Sequence, residues 1–182
     1  AHVVHPLAGQ GINIGLRAVE KEDLIYFRDW RNIPSFRKNF REVRELSFID
    51  QEVWFNSLQK TKHINYMFTI VDLKTNQPIG AAGLLYINWI IRSGDFSFYI
   101  GDEKKYIGDD GVAEEAAKLL IDYGFKNLNL NKIWMELYEF DSQKIDFFMR
   151  KFKFVQDGIL RDNCFEDGRY WNSLIISLLK KD

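Results

Sequence analysis

Between Tyr66 and Phe125 the chain carries a succession that few folds can satisfy. Three strand-like runs are separated by turns too short to hold a helix, and a polar loop and one strongly amphipathic helix follow. Tyr66 to Leu73 is rich in apolar and β-branched residues and closes on the turn Lys74-Thr75-Asn76-Gln77-Pro78. Ile79 to Trp89 is a long second run, softened by Gly80 and Gly83. After the turn Arg92-Ser93-Gly94, Asp95 to Gly101 alternates as Asp-Phe-Ser-Phe-Tyr-Ile-Gly. A parallel crossover needs a dozen or more residues, so connections this short make consecutive strands antiparallel neighbours. The three runs predict a meander.

The remaining segments add helices and further strands. Ile12 to Ala18 reads as a first strand. Val19 to Trp30 has Leu24, Phe27 and Trp30 at helical spacing, with Glu20, Glu22 and Asp23 in the first turn, where the helix dipole favours anions. Asn32-Ile33-Pro34 breaks that helix, and Ser47 to Gln59 forms a second one. Beyond the polar loop Asp102 to Asp110, Gly111 to Phe125 places Ala113, Ala116, Ala117, Leu120 and Ile121 on one face. Lys132 to Tyr138 is a strand, and Ser142 to Phe152 a helix with Ile145, Phe148, Met149 and Phe152 on one side. Two last strands, Phe154 to Arg161 and Tyr170 to Leu179, flank the turn Glu166-Asp167-Gly168. The order βααβββαβαββ is a mixed α/β class.

Composition narrows the function. The chain has 182 residues, 46% hydrophobic and 28% charged, which suits one domain with its own core over residues 12–182 behind a flexible lead-in, 1–11. With 25 Lys and Arg against 26 Asp and Glu, the net charge of -1 argues against duplex nucleic acid, whose binding needs a basic surface. A single cysteine, Cys164, excludes a disulfide framework, and three histidines (His2, His5, His63) leave few ligands for a metal, so none is expected. The longest nearly apolar stretch, Gly80 to Ile91, is too short to span a bilayer, and the N-terminus lacks a signal peptide's basic flank. These features predict a cytoplasmic chain, monomer or homodimer, without membrane or nucleic-acid partners. The aromatic content of 15% is high, enough to fill a core and shape a ligand pocket as well.

Six stretches, in order and spacing, carry a resemblance: LRAVEKEDL (16–24), WRN (30–32), YINWIIRSGDFSFYIGD (86–102), GVAEEA (111–116), NKIWMEL (131–137) and GILRDNCFEDGRYWNSLIISLL (158–179). Together they resemble the GNAT superfamily of acyl-CoA-dependent N-acetyltransferases, within it the branch acting on ribosomal-protein N-termini, polyamines and amino-sugars. The resemblance covers nearly the whole chain from about Ile14. It implies a mostly antiparallel central sheet with helices on both faces, acetyl-CoA as co-substrate, and an amine that attacks the thioester directly.

Residue roles follow from that resemblance. Backbone N–H groups at a helix N-terminus bind a pyrophosphate where glycine permits close approach, and Tyr106, Ile107, Gly108, Asp109, Asp110, Gly111, Val112 and Ala113 supply such a site. The family typically has Gly-x-Gly after Gln or Arg; here Gly108-Asp109-Asp110-Gly111 is one residue longer, with two carboxylates expected to point to solvent, or Asp110 to cap the helix. The strand Phe98, Tyr99, Ile100 and Gly101 is expected to meet the pantetheine and thioester carbonyl through its backbone. Asp95 stands where many members place a general base, or else pairs with Arg92; Glu136 is a second candidate. Where the family shows Asn and, seven residues on, a Tyr that protonates the leaving thiolate, this chain has Asp141 and Phe148, both expected beside the cofactor. Tyr138, Tyr106 or water then supplies the proton, or CoA leaves as thiolate. Trp30, Arg31, Asn32, Tyr86 and Trp89 are expected to wall the acceptor site. The basic loop holding Arg37, Lys38, Arg41 and Arg44 favours a nucleotide-linked amino-sugar as acceptor, with a polyamine, a protein N-terminus, or a non-catalytic acyl-CoA-binding role as alternatives.

Overall fold

We describe the protein from a computed structural model that defines residues 6–101, 107 and 110–182. Eight strands form one sheet: β1 (Leu7–Gln10), β2 (Ile14–Ala18), β3 (Tyr66–Asp72), β4 (Pro78–Asn88), β5 (Ser93–Ile100), β6 (Lys132–Tyr138), β7 (Val155–Glu166) and β8 (Arg169–Leu179). Their order is β1-β2-β3-β4-β5-β6-β8-β7, and every neighbouring pair is antiparallel except β5 and β6. The meander β3-β4-β5 is present as its short turns require. The one parallel pair needs the long crossover carried by the Ala-rich helix.

The helices are α1 (Leu24–Arg31), α2 (Pro34–Arg37), α3 (Phe48–Lys60), α4 (Val112–Asp122) and α5 (Ser142–Asp146). Leu7–Gln10, inside the stretch read as a flexible lead-in, pairs with β2 and extends the sheet. α1 ends at Arg31, before the expected break at Asn32-Ile33-Pro34, and Pro34 also opens α2, because its fixed φ suits the first turn and its missing N–H is not needed there. Ser47 starts α3 with a reciprocal cap, its Oγ accepting from the Asp50 N–H while Asp50 accepts from the Ser47 N–H. The first turn before α1 is 3₁₀, and its Asp23 is buried. Asp23 accepts two hydrogen bonds from Arg17 at 2.7 and 2.9 Å and one from Thr69, tying the turn to β2 and β3. Burial works to raise the Asp23 carboxyl, but the Arg17 and backbone hydrogen bonds leave it below the usual range.

Two cores sandwich the sheet. Phe96 and Phe98 of β5 face α4 and α5, meeting Phe148 at ring distances of 5.3 and 6.2 Å. One residue out of phase, Tyr99 faces the other way and meets Phe36 and Phe40 at 5.8 and 5.3 Å. α4 and α5 each run on into a wide π-helical turn, Tyr123–Asn127 and Phe147–Lys151.

The feature that positions the site is where strands part. β4 pairs with β5 from Leu85↔Asp95 to Gly80↔Ile100, but β6 pairs with β5 only at Ser93–Asp95. Beyond Asp95 no described strand pairs with that edge of β5. The Gly101 N–H donates to the Ile79 carbonyl at 2.7 Å, so alternation turns the peptide groups of Tyr99 toward β4 and those of Phe98 and Ile100 toward that edge.

Candidate active site

Asp95 lies at the fork, the last β5 residue paired with β6, and it is buried. Glu136, two residues past its partner Trp134, projects to the same face. Arg41, from the loop between α2 and α3, stands between the two: its Nη2 is 3.4 Å from Asp95 Oδ2 and 3.4 Å from Glu136 Oε2. Glu136 is held further by Asn163 Nδ2 at 2.6 Å and Ser173 Oγ at 2.8 Å, both donating to Oε1.

Asp95, Glu136 and Arg41 line a cleft of about 320 Å³ together with Arg31, Tyr86, Tyr99, Tyr138 and Lys144, while Asn163 and Ser173 stand behind Glu136. Burial, reinforced by the negative charge of Glu136, raises the Asp95 carboxyl to about 6 against the opposing pull of Arg41. That value suits a base working near neutral pH. Burial and Glu136 push the Tyr138 phenol up to about 12, and burial raises Tyr99 as well. Burial lowers the Lys144 ammonium, although Asp141 and Asp95 act to raise it.

A second cavity of about 420 Å³ opens at the other end of β5, between Trp30, Lys74, Ile100, Gly101, Asp110 and Val112. Gly111 enters α4 at φ 82°, a left-handed conformation that glycine adopts without penalty. Asp110 does not simply point away. It is exposed, but its Oδ1 accepts from the Val112 N–H at 3.1 Å and takes up one of the donors that an anion would use. Asp110→Ala frees that donor and removes a charge worth about 1 kcal/mol at close range in water. Titration calorimetry should find acetyl-CoA bound about fivefold tighter; unchanged affinity would place the pyrophosphate elsewhere.

The structure sorts the other residues expected from sequence. Asp95, Glu136, Tyr138, Arg31 and Tyr86 converge on the cleft, whereas Trp30 lies in the second cavity. Asp95 pairs with Arg41 and not with Arg92, whose guanidinium donates to the Asn129 carbonyl. Asn32 is spent on the chain itself, its amide bonded both ways to the Leu46 backbone at 2.7 and 2.8 Å. Trp89 lies outside the cleft lining, packing on Tyr66 and donating its indole N–H to the His63 carbonyl. Asp141 caps α5 through the Lys144 N–H, Ile107 receives a hydrogen bond from Gln143, and Ala113 is fully buried in the first turn of α4. Tyr106, Gly108 and Asp109 lie outside the described residues. Arg41, Lys144, Asn163 and Ser173 were not singled out as site residues; only the basic character of the loop pointed toward Arg41.

Phe148 is fully buried among Phe96, Phe98, Phe147, Phe152 and Phe154, which leaves its ring no surface for a ligand. A hydroxyl added there would meet only rings. Phe148→Tyr is expected to lower stability by about 1–3 kcal/mol in denaturant unfolding, without raising turnover.

Among the described residues, no group of three or more His, Cys, Asp or Glu is placed to hold a metal, and no helix is long and apolar enough to cross a membrane.

Comparison with known proteins adds an independent line. A family model described as Acetyltransferase (GNAT) domain matches residues 13–150. Spermidine N(1)-acetyltransferase of Escherichia coli K12 is 30% identical over 165 residues, covering 89% of this chain and 83% of that protein. The N-acetyltransferase p20 of Bacillus licheniformis is 31% identical over 172 residues, covering 92% and 93%. The crystal structure of spermidine N-acetyltransferase from Vibrio cholerae in complex with CoA and spermine superposes with a TM-score of 0.81 at 25% identity, covering 93% and 96%. The same enzyme is described as dodecameric in another structure, with a TM-score of 0.77 at 25% identity, covering 93% and 95%.

Proposed function

The chain belongs to the GNAT acetyltransferases and uses acetyl-CoA as co-substrate, and from that premise we propose that it acetylates a primary amine of the polyamine class, with Asp95 as the base. The observation that carries this reading is one cation held between two carboxylates at the strand fork. The place Arg41 Nη2 occupies, 3.4 Å from each acid, is one a protonated amine would favour for the same electrostatic reason. The relatives named as spermidine acetyltransferases support the same acceptor class.

The basic loop that pointed to a nucleotide-linked amino-sugar is largely neutralised from within. Arg37 pairs with Glu45 at 3.0 Å and Arg44 with Glu42 at 3.2 Å, so Arg41 is the arginine of that loop lining the cleft among the described residues.

Asp95 takes a proton from the acceptor ammonium, and the freed amine attacks the thioester carbonyl. The N–H groups of Phe98 and Ile100, which turn toward the β5 edge away from β4, rather than those of Tyr99 and Gly101, meet the carbonyl and pantetheine. Glu136, fixed by Asn163 and Ser173, sets a second acidic side chain beside Asp95 at the acceptor end. Cys164 takes no part, since burial pushes its thiol up and so lowers its thiolate fraction.

The test is a comparison of kcat/KM for spermidine and spermine with a nucleotide-linked amino-sugar and a peptide N-terminus, following thiol release. A polyamine preference of at least about tenfold is expected, roughly the discrimination one well-placed ion pair supplies. The reverse order would reassign the acceptor.

A further inference from the structure

Acyl transfer leaves CoA as a thiolate, and Phe148 cannot protonate it. Among the described residues, α5 and the wide turn after it place one side chain in the cleft lining, that of Lys144. Its backbone is fixed by the Asp141 cap at 3.3 Å, and it lies one helical turn before Phe148, whose ring packs under β5. Lys144 therefore reaches the cleft from the α5 side, while Asp95 and Glu136 reach it from the sheet.

We propose that Lys144 is the acid that protonates the departing CoA sulfur, and that Asp95 afterwards returns a proton to it. This rests on the acetyl-transfer reading of the cleft but not on the acceptor class. The other proton-bearing groups there are poorer donors. A guanidinium does not give up its proton in a protein, and the Tyr99 and Tyr138 phenols are raised. Burial moves Lys144 the other way, lowering its ammonium, which makes it a readier donor.

The protons balance over the cycle. Asp95 first passes the ammonium proton to solvent and is ionised again. The amine nitrogen bonds to the carbonyl carbon, the C–S bond breaks, and its electron pair goes to sulfur, which takes a proton from Lys144. The new amide nitrogen loses its extra proton to Asp95. Transfer from protonated Asp95 to neutral Lys144 restores both groups, leaving the acetylated amine, CoA thiol and one released proton. Asp95 on β5 and Asp141 at its own helix cap act on Lys144, and the titratable groups that share the cleft lining with it are Tyr99 on β5, Tyr86 on β4, Glu136 and Tyr138 on β6, Arg41 and Glu42 from the loop and Arg31 from α1.

The experiment compares Lys144→Met and Lys144→Arg with wild type, using an amine that the wild-type enzyme turns over. Lys144→Met is expected to lower kcat about 10- to 100-fold, to flatten the alkaline fall of the pH–rate profile, and to keep acetyl-CoA affinity within about threefold by calorimetry. Lys144→Arg keeps the charge but not a donatable proton, so it should be about as slow; it also carries the test if the Met variant fails to fold. A kcat within about threefold of wild type in either folded variant, or restoration by Arg of the rate lost with Met, would overturn the acid role. Wild-type protein that turns over no amine would instead defeat the acetyl-transfer reading itself.

Discussion

Asp95→Asn is expected to lower kcat about 100- to 1000-fold while leaving acetyl-CoA affinity within about threefold. The substitution is nearly isosteric and keeps an oxygen for the Arg41 contact at 3.4 Å, so the strand fork should retain its shape. What is lost is the ability to accept a proton. Glu136 does not rescue the reaction, because Asn163, Ser173 and Arg41 already fix both of its oxygens. Asp95 has been placed where its ionised form is costly, and removing that charge should leave the unfolding midpoint unchanged or higher. A rate close to wild type in a folded variant would remove Asp95 as base.

Gly80→Ala is the substitution expected to damage the fold most. A Cβ at this position would fall on the Tyr99 carbonyl oxygen and within 3.1 Å of the Ile100 Cα, both backbone atoms that no rotamer change can move. β4 and β5 must separate to admit it, against the register Gly80↔Ile100. Overpacking of this kind costs about 3 kcal/mol. Denaturant unfolding should show that loss, accompanied by weaker acetyl-CoA binding. A change below about 0.5 kcal/mol would mean that the two strands tolerate more separation than their pairing indicates.

Local periodicity made much of the fold legible. β6 occupies Lys132–Tyr138 as its alternation indicates, and Ser47 caps α3 as a start signal of its type should. β1 was missed because Leu-Ala-Gly-Gln carries no strand signature of its own and becomes a strand only by pairing with β2. The wide turns after α4 and α5 continue a helical pattern, so no sequence period separates them from the helices before them. In the site, Asp95 was legible from its place before the Gly-bearing loop. Its meeting with Glu136 was not, because it depends on which residues β5 and β6 share before they part. Arg41 comes from a stretch without period, and nothing local predicts that its cation bridges two strands. Asn32 and Trp89 stand outside the cleft lining, each satisfying a backbone group, which a residue list cannot reveal.

If a carboxylate raised by burial takes the acceptor's proton, the pH dependence of kcat/KM at saturating acetyl-CoA must carry its titration. A base must be ionised to act, and Asp95 is raised to about 6, so activity should fall as the solution is acidified through that value. Below it the loss approaches about tenfold per pH unit for a single essential group. In Asp95→Asn the residual rate should show no inflection near 6. A wild-type profile that stays level down to pH 5, or an unchanged inflection in the variant, would contradict the assignment of Asp95 as the base.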